Sequence, residues 1–414
     1  MERIQKFSPS DPAMTELRDR LRQDVNLSDL NVGKSLAQDQ GLRLVALAGL
    51  IEDIGKSPAG SVQKLSLATP QVRELLASRL DSGNPRLVDS AVEFINVALE
   101  GRPSLKPQIQ KWLANKQIPG LSGEEVSIPE RRRLTTKFLA AELPPKLIQE
   151  AIASYAERIE HSRKHLLQNS AEWGRQFVER VESAVSAGRL PESALRAKEI
   201  VAGLQFRVVD GLFWGTPGFR NAANFSQASA VVALHALNPS REDTRRAFNH
   251  ELVHAISGRT EQFLVEDGEI FGRSGSRLGL AFSGLPLDAG RSRGERFQWL
   301  NEAITESVNL ELLGLTDSAS YRTERAILKK LEETVPRAAF LQAYFENMEV
   351  GSAGPQPLPG WKELSAQLTS AYGTAFLVAL DKCVDLQGPQ LALRYLTQGP
   401  EAVAASIVVR KIRF

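Results

Sequence analysis

Residues 249–254 read Asn-His-Glu-Leu-Val-His, and this segment restricts the fold more than any other part of the chain. In an α-helix, residues four apart lie on one face, so His250 and His254 can direct two imidazole nitrogens at one metal ion. Glu251 then lies beside that ion, where a carboxylate can accept a proton from a water molecule. The pattern requires a helix and predicts a metal site on it.

The residues around the motif predict the helix that it needs. Ser240 and Asp243 form an S-x-x-D capping box, and Gly258 is placed to end the helix. We therefore expect a helix of about four or five turns. Its apolar stripe consists of Ala247, Phe248, Leu252, Ala255 and Ile256.

The other histidines lack this context. His161 and His165 are also four residues apart, but Ser162 stands where a glutamate would be needed, and charged residues surround them. We predict that both are solvated on a surface helix. His235 lies in the apolar run 230–237 and is predicted to lie on an edge strand beside the site, with a direct catalytic role as the alternative.

A catalytic zinc ion usually has three protein ligands and one water. No histidine follows His254, so the third ligand must be a carboxylate or come from upstream. Glu302 and Glu306 are the strongest candidates, because they stand one turn apart on a predicted helix. Glu302 could bind the metal, while Glu306 could accept the remaining ring N–H of a ligating histidine. The alternative is two ordinary exposed glutamates on an amphipathic helix.

The helix that carries these glutamates is predicted to start at Ser292, with a capping box closed by Glu295, and to end at Gly314. The preceding interval, 259–292, contains six glycines. It predicts a hairpin or glycine-rich loop that lines the cleft.

The segments His250-Glu251-x-x-His254 and Asn301-Glu302-Ala303-Ile304-Thr305-Glu306 together resemble the gluzincin metallopeptidases over residues 200–345. The resemblance implies a zincin-like catalytic domain with one Zn²⁺ per chain, bound by His250, His254 and Glu302. Glu251 would be the general base, and Glu306 would support a ligand from outside the coordination sphere.

The long interval between the two motifs is closer to that of the lethal-factor-like and clostridial-neurotoxin-like gluzincins than to that of the aminopeptidases, and it implies a bacterial protein. The G-x-M-x-N segment of the aminopeptidases does not occur upstream. An endopeptidase that hydrolyses a peptide or protein substrate is therefore favoured.

The resemblance also assigns two further functions. Gluzincins commonly use a tyrosine or histidine to stabilise the oxyanion, and Tyr321, at the start of the next predicted helix, is the candidate, with surface packing as its alternative. A substrate-binding edge strand precedes the HExxH helix in the family. We place it at Ala230, Val231, Val232, Ala233, Leu234 and His235.

The composition of the chain excludes few other classes of function. A net charge of +2 with 24% charged residues predicts no nucleic-acid partner. No signal core and no run of apolar residues long enough for a membrane span occur, and Cys383 is the single cysteine. We expect a cytoplasmic protein, with secretion by a leaderless route left open.

The sequence predicts a mainly α fold with a small β-sheet in three parts. Residues 1–195 form a helical N-terminal domain, either a bundle or a short HEAT-like repeat suggested by similar segments 43–48 and 86–91. Residues 196–350 form the catalytic domain, and 351–414 form a helical subdomain after a Pro/Gly-rich linker. The N-terminal domain could recruit a protein partner or inhibit the site. The alternative function is a protein-interaction scaffold that carries a latent or vestigial zincin domain.

Overall fold

The computed structural model describes residues 3–7, 49–57, 61–82, 127–142, 144–209, 223–226, 231–235, 241–266, 269–284, 293–346, 359–374 and 376–399, with short stretches at 47–107 and 350–355. Helices predominate, and the strands form small sheets of five, three and two strands. The predicted mainly α fold with a small β component is confirmed.

Among the described residues before Gln205, the elements are helical apart from the first. Strand β1 (Arg3–Phe7) lies where only helices were predicted, because it pairs with a strand far along the chain. A helical segment at 49–56 follows. The longer elements are α1 (Val62–Asp81), α2 (Ile128–Glu142), α3 (Pro145–Ser186), a 3-10 turn (Glu192–Arg196) and α4 (Ala197–Ala202). Most of segments 43–48 and 86–91 lies outside the described residues.

A three-stranded sheet precedes the HExxH helix. Its strands are β2 (Gln205–Val209), β3 (Ala223–Ser226) and β4 (Val231–His235), in the order β2-β4-β3. Strand β4 runs parallel to β2 and antiparallel to β3. Helix α5 (Arg241–Ile256) follows and carries the motif, with the length and start that the sequence predicts. Ser240 itself lies outside the described residues.

A five-stranded sheet follows α5. Its strands from this region are β5 (Arg259–Glu266), β6 (Glu269–Leu278), β7 (Ala281–Gly284) and β8 (Arg293–Arg296), in the order β1-β5-β6-β7-β8. All neighbours are antiparallel. The glycine-rich interval thus forms the predicted hairpin and continues into a meander. Its lining of a cleft stays a prediction.

After β8, the described residues are again mainly helical. Its elements are α6 (Gln298–Leu313), α7 (Arg322–Glu332), α8 (Arg337–Phe345), the short pair β9 (Val350–Gly351) and β10 (Gly354–Pro355), α9 (Pro359–Tyr372), α10 (Phe376–Gln387) and α11 (Pro389–Gln398). Gly314 ends α6 with a φ of 67°, as its position predicts. Among the described residues, no helix is both long and apolar enough to cross a membrane.

The predicted start of α6 at Ser292 is wrong. Residues 293–296 pair with β7 as strand β8, and the helix begins only at Gln298. The backbone N–H of Phe297 donates to a carboxylate oxygen of buried Asp381 at 2.7 Å, and Arg296 forms an ion pair with the other oxygen at 2.9 Å. A residue from a distant helix therefore caps α6 in place of the local box.

Two hydrophobic cores share helix α3. Its first half contributes Ile152 and Tyr155 to a core with α1, and its second half contributes Trp173 and Phe177 to a core with α5 and α6. Buried residues of α9 and α10, such as Leu364, belong to this second core. The domain boundaries at residues 195 and 351 stay predictions. Buried residues before and after each of these positions belong to the same hydrophobic core.

Partly buried Arg196 holds the ends of α5 and α8 together, and buried Arg277 binds the end of α8. Arg196 donates to the carbonyl oxygens of Ile256 at 3.1 Å and Phe345 at 2.7 Å. Arg277 donates to the carbonyl oxygen of Ala343 at 2.6 Å. Burial lowers the pKa of both guanidinium groups to about 10, so they stay charged near neutral pH. Each places a cation at helix C-termini, where the helix dipole favours it.

Close backbone contacts in the same region depend on glycine. The N–H of Gly258 donates to the carbonyl oxygen of Tyr344 at 2.8 Å, and that of Gly279 to the carbonyl oxygen of Gly258 at 2.7 Å. Gly279 has a φ of 57°, and a Cβ there would lie 2.2 Å from Oδ1 of Asn301 and 2.5 Å from the ring of Tyr344. Only glycine satisfies both constraints.

We predict that Gly279→Ala lowers the free energy of unfolding by roughly 3 kcal/mol or more, because αL strain and overpacking add. Gly314→Ala is the matched control: Gly314 has a φ of 67°, and an added Cβ would meet no atom within 4 Å, so only about 1–2 kcal/mol of strain is expected. Urea denaturation of both variants measures the difference. An equal loss in the free energy of unfolding of both variants would show that neighbouring atoms move to relieve the crowding at Gly279.

Candidate metal centre

Helices α5 and α6 bring three metal-ligand atoms together. Nε2 of His250 lies 3.1 Å from Oε2 of Glu302, and Nε2 of His254 lies 3.3 Å from the same oxygen. The ligand atoms of all three residues lie within 4.8 Å of one another. In a tetrahedral zinc site with bonds of about 2.0–2.1 Å, neighbouring ligand atoms are about 3.3 Å apart. The donor set and these two spacings are compatible with one divalent metal ion such as zinc.

Glu306 holds His250 from behind. One carboxylate oxygen lies 2.8 Å from Nδ1 of His250 and accepts from Asn309, and the other accepts from the hydroxyl of Ser318 at 2.7 Å. Burial acts to raise the pKa of Glu306, which is 2% exposed, but these hydrogen bonds lower it below its ordinary value. Because a carboxylate only accepts, Nδ1 carries a proton, and Nε2 is the ring nitrogen that faces Glu302 and the metal position.

Glu302 and Glu306 make the metal position favourable for positive charge. Burial acts to lower the pKa of His250, but hydrogen bonds with Glu302 and Glu306 outweigh it and raise the pKa to about 10. Burial acts to raise the pKa of Glu302, but the two imidazoles lower it far below its usual range. A divalent cation bound here would supply the charge that these carboxylates attract.

His254 has a different set of partners. Its Nδ1 lies 3.3 Å from Oγ1 of Thr305 and 3.4 Å from Nδ2 of Asn301, and all three residues are buried. Sequence reasoning missed both contacts. The available signal was the presence of two polar residues, four apart, directly before Glu302 and Glu306 in the sequence.

Glu251 lies on the same helix as the two histidines. It is buried, and burial raises its pKa above the ordinary value, although the histidines and a backbone hydrogen bond from Phe225 of β3 act to lower it. A carboxyl group of this kind exchanges a proton more readily near neutral pH than a solvated one. The chemistry that the sequence predicts for Glu251 matches this environment.

Tyr321 lies over the site. The sequence alone could not establish this position. Tyr321 precedes α7 with a φ of 49°, a left-handed conformation that is strained for a tyrosine. Its ring stacks on that of His250, with centroids 5.6 Å apart and planes at 13°. Burial and the hydrogen-bonded Glu302 raise the pKa of the phenol, so the hydroxyl keeps its proton.

The prediction of an edge strand at 230–235 is wrong. Strand β4 lies in the middle of its sheet, with backbone pairs to β2 on one side and β3 on the other, so it has no free edge for a substrate. The sequence signal was an apolar run, which marks a buried strand without distinguishing centre from edge. Ala230 and the side chain of His235 lie outside the described residues, so the catalytic role considered for His235 is untested.

The second pair of histidines behaves as predicted. His161 and His165 are exposed on α3, where Asn169 donates to the backbone carbonyl of His165 at 2.6 Å. They lie on a solvated helix face.

Comparison of the chain with protein-family models, with curated proteins and with solved structures gave no significant match. Any functional assignment therefore depends on the geometry of the site.

We predict that the chain binds one zinc ion and that His254→Ala lowers its affinity by more than about 100-fold, because a ligand contributes more than its supporting partners. Glu306→Gln, which keeps the shape but weakens the support of His250, lowers it by about 10–100-fold. Competition with a chromophoric chelator measures both affinities.

The control for the zinc measurement is the double variant His161→Ala, His165→Ala, which removes two exposed histidines from α3 and leaves zinc affinity unchanged. Loss of zinc from this variant, or its retention in His254→Ala, would contradict the site.

Proposed function

We propose that the chain is a zinc-dependent endopeptidase of the gluzincin type. One observation carries the proposal: two imidazole nitrogens and a carboxylate oxygen converge within 4.8 Å, with the buried carboxyl of Glu251 on the helix that bears both histidines. A structural zinc site would need four protein ligands and no neighbouring base. Among the described residues, three ligands lie beside a proton acceptor, and this arrangement is typical of a catalytic site.

Zinc held by His250, His254 and Glu302 would supply Lewis acidity that polarises a water molecule and the scissile carbonyl. Glu251 accepts the proton of the attacking water and passes it to the leaving amine. Its raised pKa supports both steps, since a more basic carboxylate accepts a proton more strongly and its acid form exists nearer neutral pH.

Tyr321 is suited to bind the carbonyl oxygen as negative charge develops there. Its phenol stays protonated and is therefore a hydrogen-bond donor, and its ring is held against His250. The stacking on His250 holds the side chain over the site before substrate arrives.

Strand β3 replaces β4 as the proposed substrate edge. In the described part of the chain, β3 pairs only with β4, and the N–H of Phe225 points to Glu251. N–H groups point alternately to the two sides of a strand, and the N–H of Phe225 is directed to Glu251 and not to β4. The side of β3 that is not paired with β4 therefore faces Glu251. An extended peptide added to that side would run past Glu251 with little demand on its sequence.

We expect Glu251→Gln to keep the zinc and lose about 10²–10⁴-fold in kcat, because the amide has the shape of the carboxylate and cannot accept the proton. Turnover is measured on casein and on a peptide library, with zinc content determined in the same samples. Glu182→Gln on the exposed face of α3 is the control. Undiminished hydrolysis by zinc-loaded Glu251→Gln would disprove this mechanism.

We expect Tyr321→Phe to lower kcat by about 10²–10³-fold with little change in KM, because the donor acts on charge that develops in the transition state. The phenyl ring keeps the stacking on His250, so zinc affinity is expected to stay within about threefold of wild type. Steady-state kinetics separates the two parameters. A rise in KM alone would assign Tyr321 to substrate binding.

The alternative proposal is a protein-interaction scaffold with a latent zincin domain. One observation favours it: β1 extends the sheet that directly follows α5, so the start of the chain is attached to the site region. It predicts one equivalent of zinc and no turnover by the full chain. A fragment starting near Leu190 cannot test this, because the second half of α3 belongs to the core beneath the site.

A further inference from the structure

Two arginines lie at the border of the apolar interface between helices α3 and α5. The rings of Trp173 and Phe248 pack across this interface with centroids 5.6 Å apart, and Phe177 and Phe248 are fully buried. Arg180 lies three residues after Phe177 on α3, and Arg245 lies three residues before Phe248 on α5. Each arginine is therefore one helical turn from a buried aromatic side chain. Both arginines are half-buried, so the border is open to solvent on one side.

The two guanidinium groups are close enough to repel each other. Nη2 of Arg245 donates to Oε1 of Gln176 across the two helices, and Arg180 lies one turn after Gln176 on the same face of α3. Burial and the positive charge of Arg245 lower the pKa of Arg180 below its ordinary value. Two like charges thus share one junction between helices.

Donor groups of both arginines lack an acceptor. Nη1 of Arg180 and Nε of Arg245 are buried and have no hydrogen-bond partner within the part of the chain that the structure describes. No described carboxylate shifts the pKa of Arg180. Buried charged groups are normally paired and hydrogen-bonded, because an unpaired buried charge is costly. The junction therefore has two positive charges and an unused capacity to donate.

The carboxylate of Glu172 attracts Arg245 but is bound by other donors. Its two oxygens accept from the guanidinium of Arg175 at 2.7 and 3.0 Å, and Gln176 also donates to one of them. Arg175 binds Glu179 as well. The side chain of Glu172 is 47% exposed, so solvent screens its charge. These acidic groups leave the pair Arg180 and Arg245 without a bound counter-charge.

We propose that Arg180 and Arg245 form a binding site for a phosphate group at the junction of α3 and α5. Guanidinium groups present parallel N–H donors that match the oxygens of a phosphate, and Nη1 of Arg180 and Nε of Arg245 are available for it. A phosphate group carries about two negative charges near neutral pH, which balances the two arginines. The apolar surroundings strengthen such an interaction.

This site is separate from the metal centre. Arg245 lies five residues before His250, which places the two side chains about 140° apart around the axis of α5. The phosphate site therefore goes beyond the proposed peptidase function and does not depend on it. A phosphate-bearing compound bound there would join α3 to the helix that carries both histidines of the metal site.

The test titrates the full-length chain with inorganic phosphate, followed by calorimetry and by thermal unfolding at constant ionic strength. A chelator keeps zinc from binding the added phosphate. We expect saturable binding and a higher Tm for wild type, and a loss of about 10–100-fold in affinity for Arg180→Gln. Lys164→Gln is the control, because it removes the same charge from an exposed position of α3 and is expected to leave phosphate affinity unchanged.

The stability without phosphate gives a second measurement. Arg180→Gln is expected to keep or raise the Tm in phosphate-free buffer, because it removes a charge that lacks a counter-charge. Arg180→Lys keeps the charge and loses the planar donor group, so its phosphate affinity is expected to lie between those of wild type and Arg180→Gln.

Three results would overturn the inference. The first is the absence of saturable phosphate binding by wild type, and the second is wild-type affinity in Arg180→Gln. The third is a lower Tm of Arg180→Gln in phosphate-free buffer, which would mean that the guanidinium already has a partner in the folded chain. Acetate is titrated in parallel, and an affinity equal to that for phosphate would assign the site to carboxylates instead.

Discussion

The buried hydrogen bond between His250 and Glu306 joins the two helices on which the site depends. It crosses from α5 to α6 at 2.8 Å, and Ser318 and Asn309 satisfy the remaining capacity of the carboxylate. A buried carboxylate is tolerated only when it is paired and hydrogen-bonded, so the relative position of the two helices is restricted. Because Glu302 lies one turn before Glu306, the same restriction places its oxygen beside both Nε2 atoms.

The two histidines are supported by different chemistry on opposite sides of the site. His250 has a carboxylate behind it, and His254 has the hydroxyl of Thr305. This difference keeps the total negative charge near that which one divalent ion can neutralise. The backbone behind His254 is held by Gly258 and by the partly buried Arg196, which bind the ends of α5 and α8 to each other.

Local sequence was sufficient where periodicity and end signals agreed. Helix α5, the end of α6 at Gly314 and the placement of Glu302 and Glu306 one turn apart followed from spacing alone. The start of α6 did not, because Asp381 of a distant helix caps it and β7 recruits residues 293–296 as a strand. The gluzincin resemblance implies an edge position for strand β4, and the apolar run could not correct this, because such a run indicates burial but not which neighbours a strand has.

The sequence by itself determined that His250 and His254 share one helix face with Glu251 beside them, since spacings of four and one residues have this result on any α-helix. Only the tertiary structure decided which groups stand behind the histidines and over them. Thr305, Tyr344 and Tyr321 are distant from both histidines in sequence and reach them through the packing of α6, α7 and α8. Such contacts depend on how helices cross, and no local pattern encodes that crossing.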